Sequence, residues 1–308
     1  MRILVVGAGA IGGYFGGRLL DAGADVTFLV RPRRATELAN AGLVIKMPDR
    51  TITRMNPPTV LADQLQLIEP FDLVLLSCKA YDLDDAMASF APAVGPATTI
   101  LPMLNGMVHL DRLDEKFGRT RVIGGYCVIA ATLNASREIV QLQPAQSISF
   151  GERDGTMSDR IRAIAEVLDK GRFGASASQT IVQEMWEKWV FLASVAASTC
   201  LMRGPIGNIL KAPGGRDFLL GMLDECTSVA RTAGFDPRPA AHQRSLSVFT
   251  QEDSPTTASM FRDIQAGARV EADHVIGDLI RRGEGEHLTR LRTACIHLKA
   301  YEASLHRP

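Results

Sequence analysis

The chain opens with a near-continuous apolar run, Arg2–Val6 (RILVV), then a glycine-rich turn, then apolar residues at helical spacing, Ile11, Phe15 and Leu19. Apolar residues without polar alternation predict a strand buried on both faces. The 3.6-residue spacing that follows predicts a helix, which Gly23 ends. Ala24–Val30 (ADVTFLV) predicts a second buried strand after a short turn, which completes a βαβ unit. Further on, Val44–Arg54 reads as a hairpin around Pro48-Asp49, and Phe71–Asp82 (FDLVLLSCKAYD) as another buried strand. A helix is expected near Leu83–Phe90 and a strand ending in a polar turn within Thr98–Met107. The stretches RVIGGYCVIAATL and QSISFGE predict late strands. The pattern is that of a mostly parallel sheet with helices on both faces, connected in the right-handed sense.

From about Ile161 onward the strand signals disappear. Helical periodicity occupies Asp159–Lys170, Thr180–Cys200, Asp217–Ala233, Thr256–Arg282 and Glu286–Ser304, separated by the Gly/Pro stretches RGPIGNI, KAPGGRD and GFDPRPAAH. The fold class expected is α/β: an N-terminal Rossmann-type doubly wound parallel sheet over residues 1–176, followed by a C-terminal all-α domain over 177–308. No internal repeat or low-complexity tract is evident.

Composition narrows the function classes. A chain of 308 residues suits two domains. Lys plus Arg and Asp plus Glu each total 34, and this zero net charge argues against nucleic acid or an anionic membrane as the main partner. No stretch reads as a bilayer span, and the N-terminal apolar run dissolves into glycines without a cleavage pattern. The five cysteines are scattered, with no C-x-x-C and no adjacent histidines. That pattern fits reduced thiols and neither a disulfide frame nor a metal site, and a cytoplasmic location is expected. A homodimer is compatible with the helical half, although no sequence feature demonstrates one.

Gly7, Gly9 and Gly12 spell G-x-G-x-x-G between the first strand and first helix. Such a turn, here Gly7, Ala8, Gly9, Ala10, Ile11 and Gly12, lets a dinucleotide pyrophosphate approach backbone N–H groups and the positive end of a helix. A ligand-free tight turn is the alternative. Where NAD-binding sheets carry a carboxylate after the second strand, this chain has Val30, Arg31, Arg33 and Arg34, with no acid before Glu37. Guanidinium groups there suit the 2′-phosphate of NADP(H), against the alternative of a solvated basic loop.

One further stretch carries candidate chemistry. In QEMWEKWVFLASVA, Lys188 shares a helical face with Met185, Leu192 and Val195. Either it forms a surface pair with Glu184, its stem lying over apolar neighbours, or it is a partly desolvated ammonium able to donate a proton.

Taken in order along the chain, GAGAIG, VRPRR, SCKAYD, LPMLNGM, MWEKWVF and ASMFRDIQAGARVEAD resemble the ketopantoate reductases (2-dehydropantoate 2-reductases) over essentially the whole length. The resemblance implies a Rossmann domain followed by a helical domain, with NADPH reducing a small-molecule 2-oxo acid in the cleft between them. It implies that Lys188 is the general acid and that Glu271 holds the substrate and positions the lysine. It places Asn105 at the nicotinamide end and reacting carbonyl, with Lys79 lining the same cleft. Ser259 would contact the substrate and Arg31 the 2′-phosphate. On the residues alone, Lys79 reads equally as a surface lysine, Asn105 as a turn residue, Ser259 as a helix-terminus group and Glu271 as a solvated partner of Arg269 or of a lysine elsewhere. The chain departs from the family pattern where asparagines are expected: those positions are Leu192, Ala196 and Ile276. Ketopantoate is the default substrate, and a more apolar 2-oxo acid, as in D-mandelate-type dehydrogenases of the same family, is the alternative. A non-catalytic NADP(H) sensor is the alternative of another class.

Overall fold

The computed structural model describes residues 1–305. By contact density the chain forms two compact units: Met1–Leu104 with His109–Val182, and Asn105–Val108 with everything from Gln183 onward. The first unit contains strands β1 (Arg2–Val6), β2 (Asp25–Leu29), β3 (Leu43–Lys46), β4 (Ile52–Met55), β5 (Thr59–Val60), β6 (Leu73–Leu76), β7 (Thr99–Pro102), β8 (Gly124–Leu133), β9 (Ile139–Gly151) and β10 (Ala175–Ala177). Between them run helices α1 (Ala10–Asp21), α2 (Pro32–Ala41), α3 (Leu83–Phe90), α4 (Val108–Phe117) and α5 (Asp159–Asp169).

The strands make two sheets, where the sequence pattern suggested one. The first is fully parallel in the order β5-β2-β1-β6-β7. Its chain order reverses between the neighbours β1 and β6, and the carboxyl ends of such a pair form the usual ligand crevice of an open α/β sheet. The hairpin β3–β4 and the late strands make the second, mixed sheet, β10-β9-β3-β4 with β8 antiparallel to β9. β10 is a strand beyond Ile161, where none was expected; its three residues are too short to show a period.

Helix α1 packs against both sheets, and its sequence AIGGYFGGRLLD shows how. A Cβ at Gly16 would meet Val5 and Phe28 of the first sheet at 2.8 Å, and one at Gly17 would meet Ile45 of the second at 2.8 Å. The paired glycines therefore let one helix lie close to two layers, while Tyr14, Phe15 and Leu19 fill the space beside it at 0% exposure. This core continues through Phe28, Ile45, Ile148, Phe150 and Phe173.

The second unit is helical: α6 (Ile181–Leu201), α7 (Ile206–Lys211), α8 (Gly215–Thr232), α9 (Pro239–Thr250), α10 (Ser259–Gln265), α11 (Asp278–Arg282) and α12 (Thr289–Leu305). The stretch expected as one helix over Thr256–Arg282 is broken. Gly267, at φ +64°, ends α10. Its N–H bonds Ile264 O and the Ala268 N–H bonds Asp263 O, the Schellman pattern that closes a helix. The chain then runs without regular secondary structure to Glu271 and re-enters helix through a π turn, Asp273–Gly277.

α12 begins on a carboxylate from a neighbouring helix. The buried Glu225 of α8 accepts the N–H groups of Arg290 at 3.0 Å and Leu291 at 2.9 Å, which satisfies two donors that no intrahelical carbonyl reaches. Among the described residues, no helix is long and apolar enough to cross a membrane.

Candidate functional site

In the first unit, the turn from β1 into α1 has the form a phosphate cradle requires. Gly7 sits at φ +94°, open to glycine, with its N–H bonded to Leu29 O at 3.0 Å. A Cβ at Gly12 would collide with the Gly7 carbonyl and Ser77 Oγ, so the helix starts against the turn only because that position is glycine. Over Gly9 no atom lies within 4 Å of where a Cβ would stand. The first turn of α1 carries no acidic residue, and its N-cap makes no side-chain bond. Open space over unblocked N–H groups at a helix start is the geometry that accepts an anion. The residues present therefore fit a dinucleotide pyrophosphate.

Ser77 braces this turn and was not picked out from the sequence. It follows β6 directly, and its hydroxyl donates to Val6 O at 2.9 Å. The signal available was position, since the residue after a central parallel strand faces the switch point. Lys79 lies two residues on, half-buried, at the start of a short 3-10 turn, Ala80–Asp82.

The arginines after β2 do different things. Arg31 is largely exposed and meets Asp82 Oδ1 at 3.2 Å. Arg33 is 90% exposed and pairs with Glu37. Arg34 corrects the expectation of three available guanidiniums: it is buried, donating to Ala8 O at 3.2 Å, Arg137 O at 3.3 Å and Glu37 at 3.1 Å. Burial lowers its pKa and the Glu37 bond opposes this. Arg34 thus ties α2 to the glycine turn. At Glu37, desolvation raises the pKa, but hydrogen bonds from Arg34, Arg137 and Arg33 outweigh it and hold the carboxyl below its ordinary value.

The second unit assembles the remaining candidates around α6. The Lys188 ammonium, half-buried, donates to Asn105 Oδ1 at 3.2 Å. Asn105 belongs to the segment between β7 and α4 that groups with the helical unit. Gly106, at φ +81°, lets that segment touch the π turn; a Cβ there would lie 2.6 Å from His274 O and 3.8 Å from the Trp189 ring. The indole N–H of Trp189 donates to Val275 O at 2.8 Å. Trp189 therefore touches the asparagine segment, holds the π turn that follows Glu271, and adjoins Lys188 in sequence. Glu271 is buried, at the entry to that turn.

Ser259 is exposed at the first position of α10, whose start is tied to α6 by the Ala258 N–H donating to Thr199 Oγ1 at 3.3 Å. Leu192 is half-exposed one turn beyond Lys188, while Ala196 and Ile276 are fully packed at 1% and 0% exposure. His274 is shifted below its ordinary value chiefly by burial, against the opposing pull of Glu271, Asp273 and Asp278.

The acid preceding Lys188 is structural. Glu187, buried, binds the Arg238 guanidinium at 2.7 Å through both oxygens and accepts the Arg238 N–H at 2.9 Å. Desolvation raises its pKa, and the Arg238 bonds outweigh this and leave it depressed.

Family models for the ketopantoate reductase PanE/ApbA match residues 3–155, and for its C-terminal domain residues 180–302. The uncharacterized oxidoreductase YkpB of Bacillus subtilis is 34% identical, over 98% of this chain and 99% of that protein. A 2-dehydropantoate 2-reductase of Archaeoglobus fulgidus is 26% identical, over 92% of this chain and 91% of that protein. A D-mandelate dehydrogenase solved with NADH and anilino(oxo)acetate shares the fold, with a TM-score of 0.89 and 19% identity over 100% of both chains. The chain belongs to the ketopantoate reductase family, whose members are oxidoreductases acting on CH–OH groups.

Two predictions follow from the geometry around α6. Trp189→Phe keeps an aromatic ring but removes the indole N–H, which strands the Val275 carbonyl, and part of the buried bulk, so urea unfolding should show a loss of about 2–4 kcal/mol, with a larger proportional fall in kcat than in cofactor affinity. Glu187→Gln should cost ~2 kcal/mol at pH 7. A depressed folded-state pKa gives stability that is complete above the ordinary value of 4.5 and lost as pH falls through the lower folded value. The gap between wild type and Glu187→Gln should therefore close in acid, as denaturant titrations across that range would reveal.

Proposed function

We propose that this chain reduces a 2-oxo acid to a D-2-hydroxy acid with NADPH, with Lys188 as general acid. The observation that carries the reading is the Lys188–Asn105 bond, made by a half-buried ammonium in a chain whose other unit carries a dinucleotide-type glycine turn. When bound, the cofactor supplies a hydride to the carbonyl carbon. The electron pair moves onto the carbonyl oxygen, where the Lys188 ammonium offers both charge and a proton. Asn105 Oδ1 accepts from Nζ and so fixes the direction of the remaining ammonium hydrogens. Glu271, buried at the start of the π turn, holds the substrate in place. Gly7 to Gly12 would hold the pyrophosphate, and Lys79 would lie along the bound cofactor. Arg31 supports the choice of NADP, since it is exposed at the end of β2 where no carboxylate stands; the family neighbour noted above was solved with NADH.

Family membership makes ketopantoate the first substrate to consider. Leu192 favours a second, more apolar 2-oxo acid, because a half-exposed leucine one turn from the proton donor offers no hydrogen bond to a substrate hydroxyl.

Lys188→Ala should retain cofactor binding and lose ~10²- to 10⁴-fold in kcat. A wild-type enzyme that binds cofactor but reduces no oxo acid in a broad panel would remove the enzyme reading in favour of a sensor. Rates with ketopantoate and phenylglyoxylate compare the two substrate classes. Titration with NADP beside NAD checks the arginine argument, which tighter NAD binding would refute.

A further inference from the structure

We propose that Asp82 sets cofactor selectivity: its carboxylate competes with an adenosine 2′-phosphate for Arg31 and so restrains the preference for NADP over NAD. The inference rests on the reading of Arg31 given above. Asp82 occupies the N-cap position of α3, where aspartate ordinarily binds the helix's own N–H groups. Here it makes no such bond and meets Arg31 Nη2 at 3.2 Å instead. The two side chains are 34% and 72% exposed, so the pair is solvated and readily exchanged. Arg34 is buried against Ala8 O and Arg33 pairs with Glu37 within α2, so Arg31 is the guanidinium of this run that Asp82 holds.

A phosphate taken up by Arg31 in fork geometry must displace or share Asp82. A dianion there stands a few ångströms from a carboxylate of like sign, and such proximity weakens binding by roughly five- to twentyfold even near water's dielectric. An unphosphorylated ribose carries no such charge and offers hydroxyl donors that a carboxylate accepts, the role an acid after the second strand plays in NAD-binding sheets. The residue comes here from the β6–α3 connection instead of the end of β2.

The test is binding of 2′,5′-ADP and of 5′-ADP to the full chain by calorimetry, supported by NADP and NAD titrations. Asp82→Asn should tighten 2′,5′-ADP about tenfold while 5′-ADP stays within about threefold or weakens. Asp82→Ser should shift the ratio the same way and guards against a folding defect peculiar to either variant. Weaker 2′,5′-ADP binding in both variants, or a ratio unchanged within about twofold, would overturn the proposal. Arg31→Ala separates the two levels. If it costs 2′,5′-ADP more than about tenfold while the Asp82 variants leave the ratio unmoved, the selectivity role of Asp82 alone fails. If Arg31→Ala leaves 2′,5′-ADP binding intact, the assignment of the phosphate to Arg31 fails with it.

Discussion

The hydrogen bond from the Trp189 indole to the Val275 carbonyl is the contact on which the arrangement around Lys188, Asn105 and Glu271 depends. An indole has one donor and buries a large apolar body, so a buried tryptophan specifies both a packing site and a single polar partner. Val275 lies within a π turn, where helical bonding runs to the fifth residue and the register slips. Anchoring that carbonyl fixes where the slip falls, and with it the position of Glu271 just before it. The same ring abuts Gly106, so the segment bearing Asn105 is seated by the residue that follows Lys188. The Arg282 guanidinium lies 5.9 Å from the Trp189 ring centre and is held by Asp278 at 3.0 Å, closing the other end of the π segment.

The first unit solves a different problem, that of keeping cationic groups near a backbone turn without losing them to one another. Glu37 gathers Arg33, Arg34 and Arg137, and Arg34 spends its remaining donors on the Ala8 and Arg137 carbonyls. A buried guanidinium is tolerable only with its charge and donors answered, and this one is answered by structure. Arg31 is left at the surface against a single exchangeable carboxylate. The basic run RPRR is therefore divided: Arg34 braces the turn, Arg33 pairs with Glu37 within α2, and Arg31, at the N-cap before α2, stays at the surface.

Strands, helices and the glycine turn were readable from local pattern, because burial imposes its period on neighbouring residues. β1 spans the predicted Arg2–Val6, and α3 the predicted Leu83–Phe90. The break in the Thr256–Arg282 stretch was present in the sequence as Gly267, but a helical period on both sides of it masked the stop. The division of strands into two sheets was not readable, since β3 pairs with β9 across nearly a hundred residues and strand period does not name a partner. Gly7, Gly9 and Gly12 were legible as a phosphate turn, while the use of Gly16 and Gly17, seating one helix against two sheets, depends on that pairing.

For the site, the sequence by itself determined the residue types and their order: a glycine turn after the first strand, arginines after the second, and a lysine between two tryptophans. Family membership is written at that level. The tertiary structure decided which of them meet. The partners Lys188 and Asn105 are 83 positions apart, and Trp189 and Val275 are 86 apart. The pair of Arg31 with Asp82 joins the crossovers after β2 and β6. Hydrogen bonds are short and directional while sequence periodicity constrains only the face a residue occupies. The choice among distant partners is therefore made by packing, when the backbone has closed and each buried donor takes the acceptor left within reach.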